Sequence, residues 1–244
     1  MEEEKKKYYI KVKPDGPYLV YGNPPIDQEI IIPNEDGISW LYQKGIHFEK
    51  EPKADGRISL CRCGVSKNHP FCDGAHKHIE WDSKESSNKK TYEDECQKFV
   101  GPEYTLEDND KYCVGAQFCF ANGEAWDIVA KKNDEEQNDI LFHEVCHCPS
   151  GRLMLRKRSS GEIVDYPFPP SLAIIEQPGL KISGPIWVRG GITIIDEDGK
   201  AYEVRNRVTL CRCGHSKNKP FCDASHIRVK FNDGLPTEGK GEKW

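Results

Sequence analysis

Apolar and polar positions follow a strand-like rhythm at both ends of the chain and lose it in the middle. Residues 10–26 and residues 180–192 are each rich in β-branched and aromatic positions. Each run carries a Gly-Pro pair, Gly16-Pro17 or Gly184-Pro185, that predicts a turn before the extended run resumes. Further extended segments are predicted at 29–32, at 192–195 ahead of an Asp198-Gly199 turn, and at 202–210. Between these ends, residues 83–90 are polar and rich in Ser and Lys, the composition of a linker. Residues 110–130 and 138–156 combine mixed apolar patterning with several helix formers, and Asp134-Glu135-Glu136 reads as a solvated turn or a helix start. The pattern predicts an α+β, β-rich chain. Its parts are a β module over 1–82, a linker and middle region over 83–178, and a second β module over 179–244.

Composition narrows the picture. Of 244 residues, 36% are hydrophobic and 31% charged, a low apolar fraction for a folded chain. Small modules with little core need staples, and 11 cysteines can supply them as disulfides or as metal ligands. Residues 1–7 are almost wholly charged and lack the apolar run of a signal peptide. No stretch reaches the roughly 18 apolar residues of a membrane span. A reducing, cytoplasmic location is therefore expected, where cysteine clusters bind metal more often than they form disulfides. A net charge of −5 argues against nucleic acid as a partner. The basic residues Arg152, Arg156, Lys157, Arg158, Arg205 and Arg207 read as solvated faces.

Both end modules close on the same pattern. Cys61, Cys63, Cys72 and His76 recur as Cys211, Cys213, Cys222 and His226, each shifted by 150 positions. Intervening residues recur as well, among them Ser66-Lys67-Asn68 and Ser216-Lys217-Asn218. Three thiols and an imidazole at fixed spacing are a metal-site signature, and a duplicate makes coincidence untenable. Such a set can hold one zinc ion or one 2Fe–2S cluster. Structural zinc sites favour C-x2-C or wider pairs, whereas two tight pairs suit two irons, one pair to each. Thiolates select soft metals and Fe–S clusters, and imidazole is compatible with iron.

Cys72-Asp73-Gly74-Ala75-His76, preceded by Cys61-x-Cys63, Ser66 and Pro70, resembles the CDGSH iron–sulfur family typified by mitoNEET. The second loop departs once, with Ala224 where the motif has Gly, a change acceptable if the turn there is helical. The resemblance implies a 2Fe–2S cluster on each loop. Cys61 and Cys63 would hold one iron and Cys72 and His76 the other, and likewise Cys211 and Cys213, then Cys222 and His226. It makes Asp73 and Asp223 non-ligands, placed to accept backbone N–H groups at a helix start. It also implies an intramolecular pseudo-dimer of two mitoNEET-like β-cap modules, or pairing of the copies between chains as a homodimer. A histidine ligand binds only when its coordinating nitrogen is free of a proton, so proton-coupled redox or releasable clusters are expected. Lys67 and Lys217 read as solvated.

The middle region has five cysteines of its own. Cys113 and Cys119, with Cys148-Pro149 further on, match the first, third and remote positions of a bacterial ferredoxin pattern, with Ala116 at the second. Three thiolates without the second favour a 3Fe–4S cluster, and the segment resembles a divergent monocluster ferredoxin. Cys146 is a possible extra ligand that would permit 4Fe–4S, although a bystander thiol is the preferred reading. Cys96 reads as a small buried hydrophobe. His143 and His147, four apart, read as structural.

The sequence offers no nucleophile–base constellation, no phosphate-binding loop and no nicotinamide or flavin fingerprint. The expected function is electron transfer by a multi-cluster iron–sulfur protein that is not itself an enzyme. Its partners would be redox proteins or apo-acceptors of clusters, with no nucleic acid and no membrane. The alternatives are a cluster carrier or redox and pH sensor, the redox subunit of an oxidoreductase whose catalytic partner is another polypeptide, and a zinc-bound structural module.

Overall fold

The computed structural model describes residues 8–244, so the charged start at 1–7 lies outside the described residues. In chain order the strands are β1 (Tyr9–Val12), β2 (Tyr18–Tyr21), β3 (Ile26–Pro33), β4 (Ser39–His47) and β5 (Arg57–Leu60). The middle of the chain supplies α1 (Tyr92–Glu95), β6 (Gln97–Val100), β7 (Tyr104–Asp108), α2 (Ala125–Val129), α3 (Glu135–Cys146), β8 (Leu153–Lys157) and β9 (Ile163–Val164). The chain ends with β10 (Ser171–Gln177), β11 (Ile182–Arg189), β12 (Thr193–Ile195), β13 (Arg207–Leu210) and α4 (Ser225–Arg228). The predicted β-rich α+β class is what the structure contains.

Two sheets, ordered β12-β1-β2-β5 and β13-β11-β10-β3-β4, carry the end segments. Their pairings correspond position by position. Tyr18 pairs with Leu60 as Ile186 pairs with Leu210, and Ile10 pairs with Val20 as Leu172 pairs with Val188. At the outer edge of each set the partner comes from the opposite end of the chain. β1 runs parallel to β12 (Ile10 beside Ile194), and β10 runs parallel to β3 (Leu172 beside Ile26). Both parallel pairings are long-range, so neither end can complete its sheet alone. One core, including Ile10, Val20, Leu60, Leu172, Ile174, Ile186, Val188 and Leu210, lies between them.

The predicted turn at Gly184-Pro185 does not form: β11 runs straight through it. The ladder with β10 shifts register between Ile174 and Glu176, opposite this pair, so the bulge absorbs the missing proline N–H. Glycine is also required there, since a Cβ at position 184 would come within 2.9 Å of Ile175 Cγ2. In the first half the longer Lys13-to-Pro17 connection does turn, closed by Gly16 N–H donating to Lys13 O at 3.1 Å. The run at 202–210 is strand only over β13. β10, which falls within the segment 83–178, sits in the sheet of the final segment.

The middle region is a third sheet, β6-β7-β8-β9, with α2 and α3 packed on it around Leu106, Val129, Leu141, Val145, Leu153 and Leu155. The helical patterning over 138–156 therefore covers a helix followed by a strand. Asp134 caps α3, its carboxylate accepting from Gln137 N–H at 2.9 Å, which bears out the helix-start reading. The linker at 83–90 is pinned down. Ser86 and Ser87 N–H both donate to Lys219 O, and Ser83 O accepts from Arg62.

Candidate metal centres

The two cysteine loops are superposable in their hydrogen bonds. Ser66 Oγ donates to Phe71 O at 2.6 Å, and Ser216 Oγ to Phe221 O at 2.6 Å. Asp73 accepts from Lys67 and Ala75 N–H (2.8 and 2.9 Å), and Asp223 from Lys217 and Ser225 N–H (2.9 and 3.0 Å). The expected role of the aspartates holds: they tie the loop to the short helix that carries the histidine. The side chains of Lys67 and Lys217 are exposed, as expected.

Sequence reading missed the arginine inside each Cys-Arg-Cys. Arg62 donates to the carbonyls of Gly16, Ser83 and Lys13. Arg212 donates to Gly184 O and Ile175 O and forms ion pairs with Glu176 and Asp233. Both guanidiniums are buried, 1% exposed, so Arg62 ties two chain segments and Arg212 three, each beneath its own loop. Repetition of Arg at the same place was the available signal. Tyr18 was also missed. Its hydroxyl lies 2.8 Å from Cys211 O and 3.0 Å from Pro220 O, so a first-half side chain supports the second loop. The loops meet directly, with Cys63 and Cys213 forming an antiparallel bridge. Gly64 and Gly214 permit the approach, because a Cβ at either would lie 2.5 or 2.6 Å from the opposing carbonyl oxygen.

Within each loop the four donors fall into two pairs. The Sγ atoms of Cys61 and Cys63 are 3.7 Å apart, as are those of Cys211 and Cys213. Cys72 Sγ lies 3.4 Å from His76 Nδ1, and Cys222 Sγ lies 3.3 Å from His226 Nδ1. Two thiolates on one tetrahedral first-row metal, each at about 2.3 Å, are about 3.7 Å apart, and a thiolate and an imidazole nitrogen about 3.5 Å. The donor set fits a metal at each pair. Among the described residues no three His, Cys, Asp or Glu converge on a single ion. The shared proton between the paired thiols holds Cys61 and Cys211 below the ordinary thiol range and pushes Cys63 and Cys213 up. Burial keeps both histidines neutral and able to ligate: His226 is pushed down to about 4, and His76 is lowered by burial and then by Lys77.

The sites differ in cover. Cys222 and His226 are each 2% exposed, whereas Cys72 and His76 are half-buried. The middle region accounts for the difference: Val114, Ala116 and Phe118 share a core with Cys222, and a Cβ on Gly115 would strike Ile227 Cδ1 at 2.4 Å. Gly74 (φ 91) and Ala224 (φ 65) both precede the histidine helix in left-handed backbone. The condition that would make Ala acceptable at 224, a right-handed helical turn, is not met: Ala occupies a conformation that costs an L-residue energy.

In the middle region Cys113, Cys119 and Cys148 are half-buried. Burial pushes Cys119 up to about 12, reinforced by the charges of Cys148 and then Cys113. Cys146 faces elsewhere. Its Sγ donates to Val164 O at 3.6 Å, and its charged neighbours are Arg207 and Asp165. Cys96 is half-buried rather than buried, its Sγ 3.7 Å from Glu93 O. His143 and His147 stack with ring centroids 3.6 Å apart against Trp40 and Tyr42. Several basic residues read as solvated are not: Arg207 is buried and bonded to the carbonyls of Val145, Cys146 and Cys148, and Arg156 pairs with buried Glu107. Arg152 grips Asp108 at 2.7 Å and donates to Cys113 Sγ at 3.2 Å.

Comparison with known families gives two matches. Residues 15–77 and 183–227 match the iron-binding zinc finger of CDGSH type. Residues 99–158 match the divergent 4Fe-4S mono-cluster family. No curated protein and no solved structure matches. Taken with the donor geometry, these matches identify an iron–sulfur protein in which two CDGSH-type iron-binding segments flank a divergent mono-cluster segment.

Proposed function

We propose that this protein transfers electrons through three iron–sulfur centres: a 2Fe–2S cluster on each repeated loop and a 3Fe–4S cluster on Cys113, Cys119 and Cys148. It would have no substrate pocket of its own. One observation carries the reading. Each loop presents two donor pairs at one-metal spacing rather than four donors around one ion, which suits two irons better than zinc. Bound clusters would supply one-electron redox chemistry.

The chain's own residues would hold, shield and tune them. Arg62, Arg212 and the two aspartates fix the loops. Arg152 donates to a ligand sulfur, an interaction that stabilises the more reduced, more negative state. Cys146 is buried with its thiol turned to Val164 O, which leaves three thiolates for the middle centre and favours 3Fe–4S. The matched sheet registers, the exchanged strands and the Cys63–Cys213 bridge support an intramolecular pseudo-dimer. A second reading, cluster transfer to an apo-acceptor, draws support from the half-exposed Cys72–His76 edge.

Anaerobic purification followed by iron and sulfide analysis and EPR tests the proposal. About seven irons and eight sulfides per chain are expected, with an EPR signal from the oxidised 3Fe–4S centre that oxidised 2Fe–2S centres lack. A colourless, zinc-loaded protein would overturn it. Release of one cluster to an apo-ferredoxin faster than electron exchange would favour the carrier reading.

A further inference from the structure

The two repeated loops carry the same donors in opposite surroundings. At the first, a cavity of about 270 Å³ opens beside Cys72 and His76, and Lys13, Lys53, Arg57 and Lys77 line it. The three lysines are exposed. The opposing charges are Asp73, whose oxygens are taken by backbone N–H groups, and Asp55, which pairs with Arg57 at 2.8 Å. At the second loop the positions 150 residues on are Glu203 for Lys53 and Ile227 for Lys77. Ile227 packs against Gly115 of the middle region. The surface there, lined by Asp110, Lys111, Lys217 and Asp223, balances its charges.

We propose that the first loop is the face at which this protein meets an acidic electron-transfer protein, while the second loop faces inward and serves the middle centre. The proposal rests on the electron-transfer reading above. Charge complementarity is the argument: a cationic rim around a half-exposed ligand edge steers an anionic partner to that edge and orients it on arrival. In the encounter one electron passes between the partner's centre and this protein's, and no bond forms or breaks. The sealed second site cannot be approached in this way, since Cys222 and His226 are 2% exposed. It lies instead against Val114 and Ala116, and Cys113 lines the same cleft as Asp223 and Ala224.

The test is stopped-flow electron transfer between the fully loaded protein and two probes, a chemically reduced acidic 2Fe–2S ferredoxin and cationic cytochrome c. With the ferredoxin the second-order rate should fall steeply as salt rises. Lys13→Glu/Lys53→Glu should lower it by about tenfold at low ionic strength and converge on the parent rate at about 0.5 M salt. The same variant should react faster with cytochrome c. Lys217→Glu, a single charge reversal on the second loop, should leave the ferredoxin rate within about twofold. Iron and sulfide content and the visible spectrum, measured on every variant, establish that the clusters are in place. A loaded variant whose rate ignores the reversals would overturn the docking proposal alone. A protein without clusters would overturn the electron-transfer reading and the docking proposal with it.

Discussion

Ala224 shows how far one backbone angle can be stretched to keep a ligand in place. At φ 65 it holds the geometry that Gly74 holds at φ 91 in the other loop, and only glycine adopts it without strain. Asp223 fastened to Lys217 and Ser225 N–H, and the packing of Ile227 on the middle region, hold it there. Gly74→Ala should therefore cost about 1 kcal/mol, since nothing near Gly74 would clash and only the backbone term remains. Ala224→Gly should stabilise by about 0.5 kcal/mol, the strain relief being offset by the freer unfolded chain. Paired thermal melts of the cluster-loaded proteins would check the opposite signs. The sequence exposed the substitution but not its φ, because Ala fits a helical turn equally well.

Within α3, Glu144 is buried. One of its oxygens accepts from Asn122 N–H at 2.8 Å, and the other has no partner. Burial raises its carboxyl to about 7 from the ordinary value of 4.5, against the smaller lowering by Asn122 and Ala121 N–H. Between those two values the folded chain keeps a proton that the unfolded chain has released. The stabilising contribution is thus complete below pH 4.5 and lost as pH rises through about 7. Glu144→Gln should flatten that part of the stability-against-pH curve, and denaturant melts between pH 5 and 8 would show it; an unchanged slope would assign the pH dependence elsewhere. α3 began where its acidic run suggested, because an N-cap is a local device. The Gly184-Pro185 turn failed for the converse reason: a Gly-Pro pair permits a turn or a bulge, and the neighbouring strand β10 selects the bulge.

At the scale of the molecule, each cysteine loop depends on strands from both ends of the chain. Ile174 in β10 is fully buried in the core shared by Ile10, Val20, Ile186 and Leu210. Ile174→Ala should cost about 2–5 kcal/mol, and visible absorption from both loops should be lost in one transition rather than two. Two separate bleaching steps on heating would show that the halves fold independently. The middle region adds asymmetry to this shared frame by covering one loop and leaving the other open. Among the described residues no helix is long and apolar enough to cross a membrane.

The sequence by itself determined the candidate chemistry: which residues can act as donors, that they come in two equivalent sets, and that a third group of cysteines lies between them. Ligand identity and short spacing are local properties, and a duplication 150 residues apart is visible without a fold. Only the tertiary structure decided that β1 and β10 pair across the halves, that Arg62, Arg212 and Tyr18 support the loops, and that Cys146 faces away. Those outcomes depend on contacts between residues up to 202 positions apart, as between Tyr18 and Pro220, which no local pattern encodes. The contrast between an open cationic loop and a sealed one likewise arises from what packs on each, not from the ligands they share.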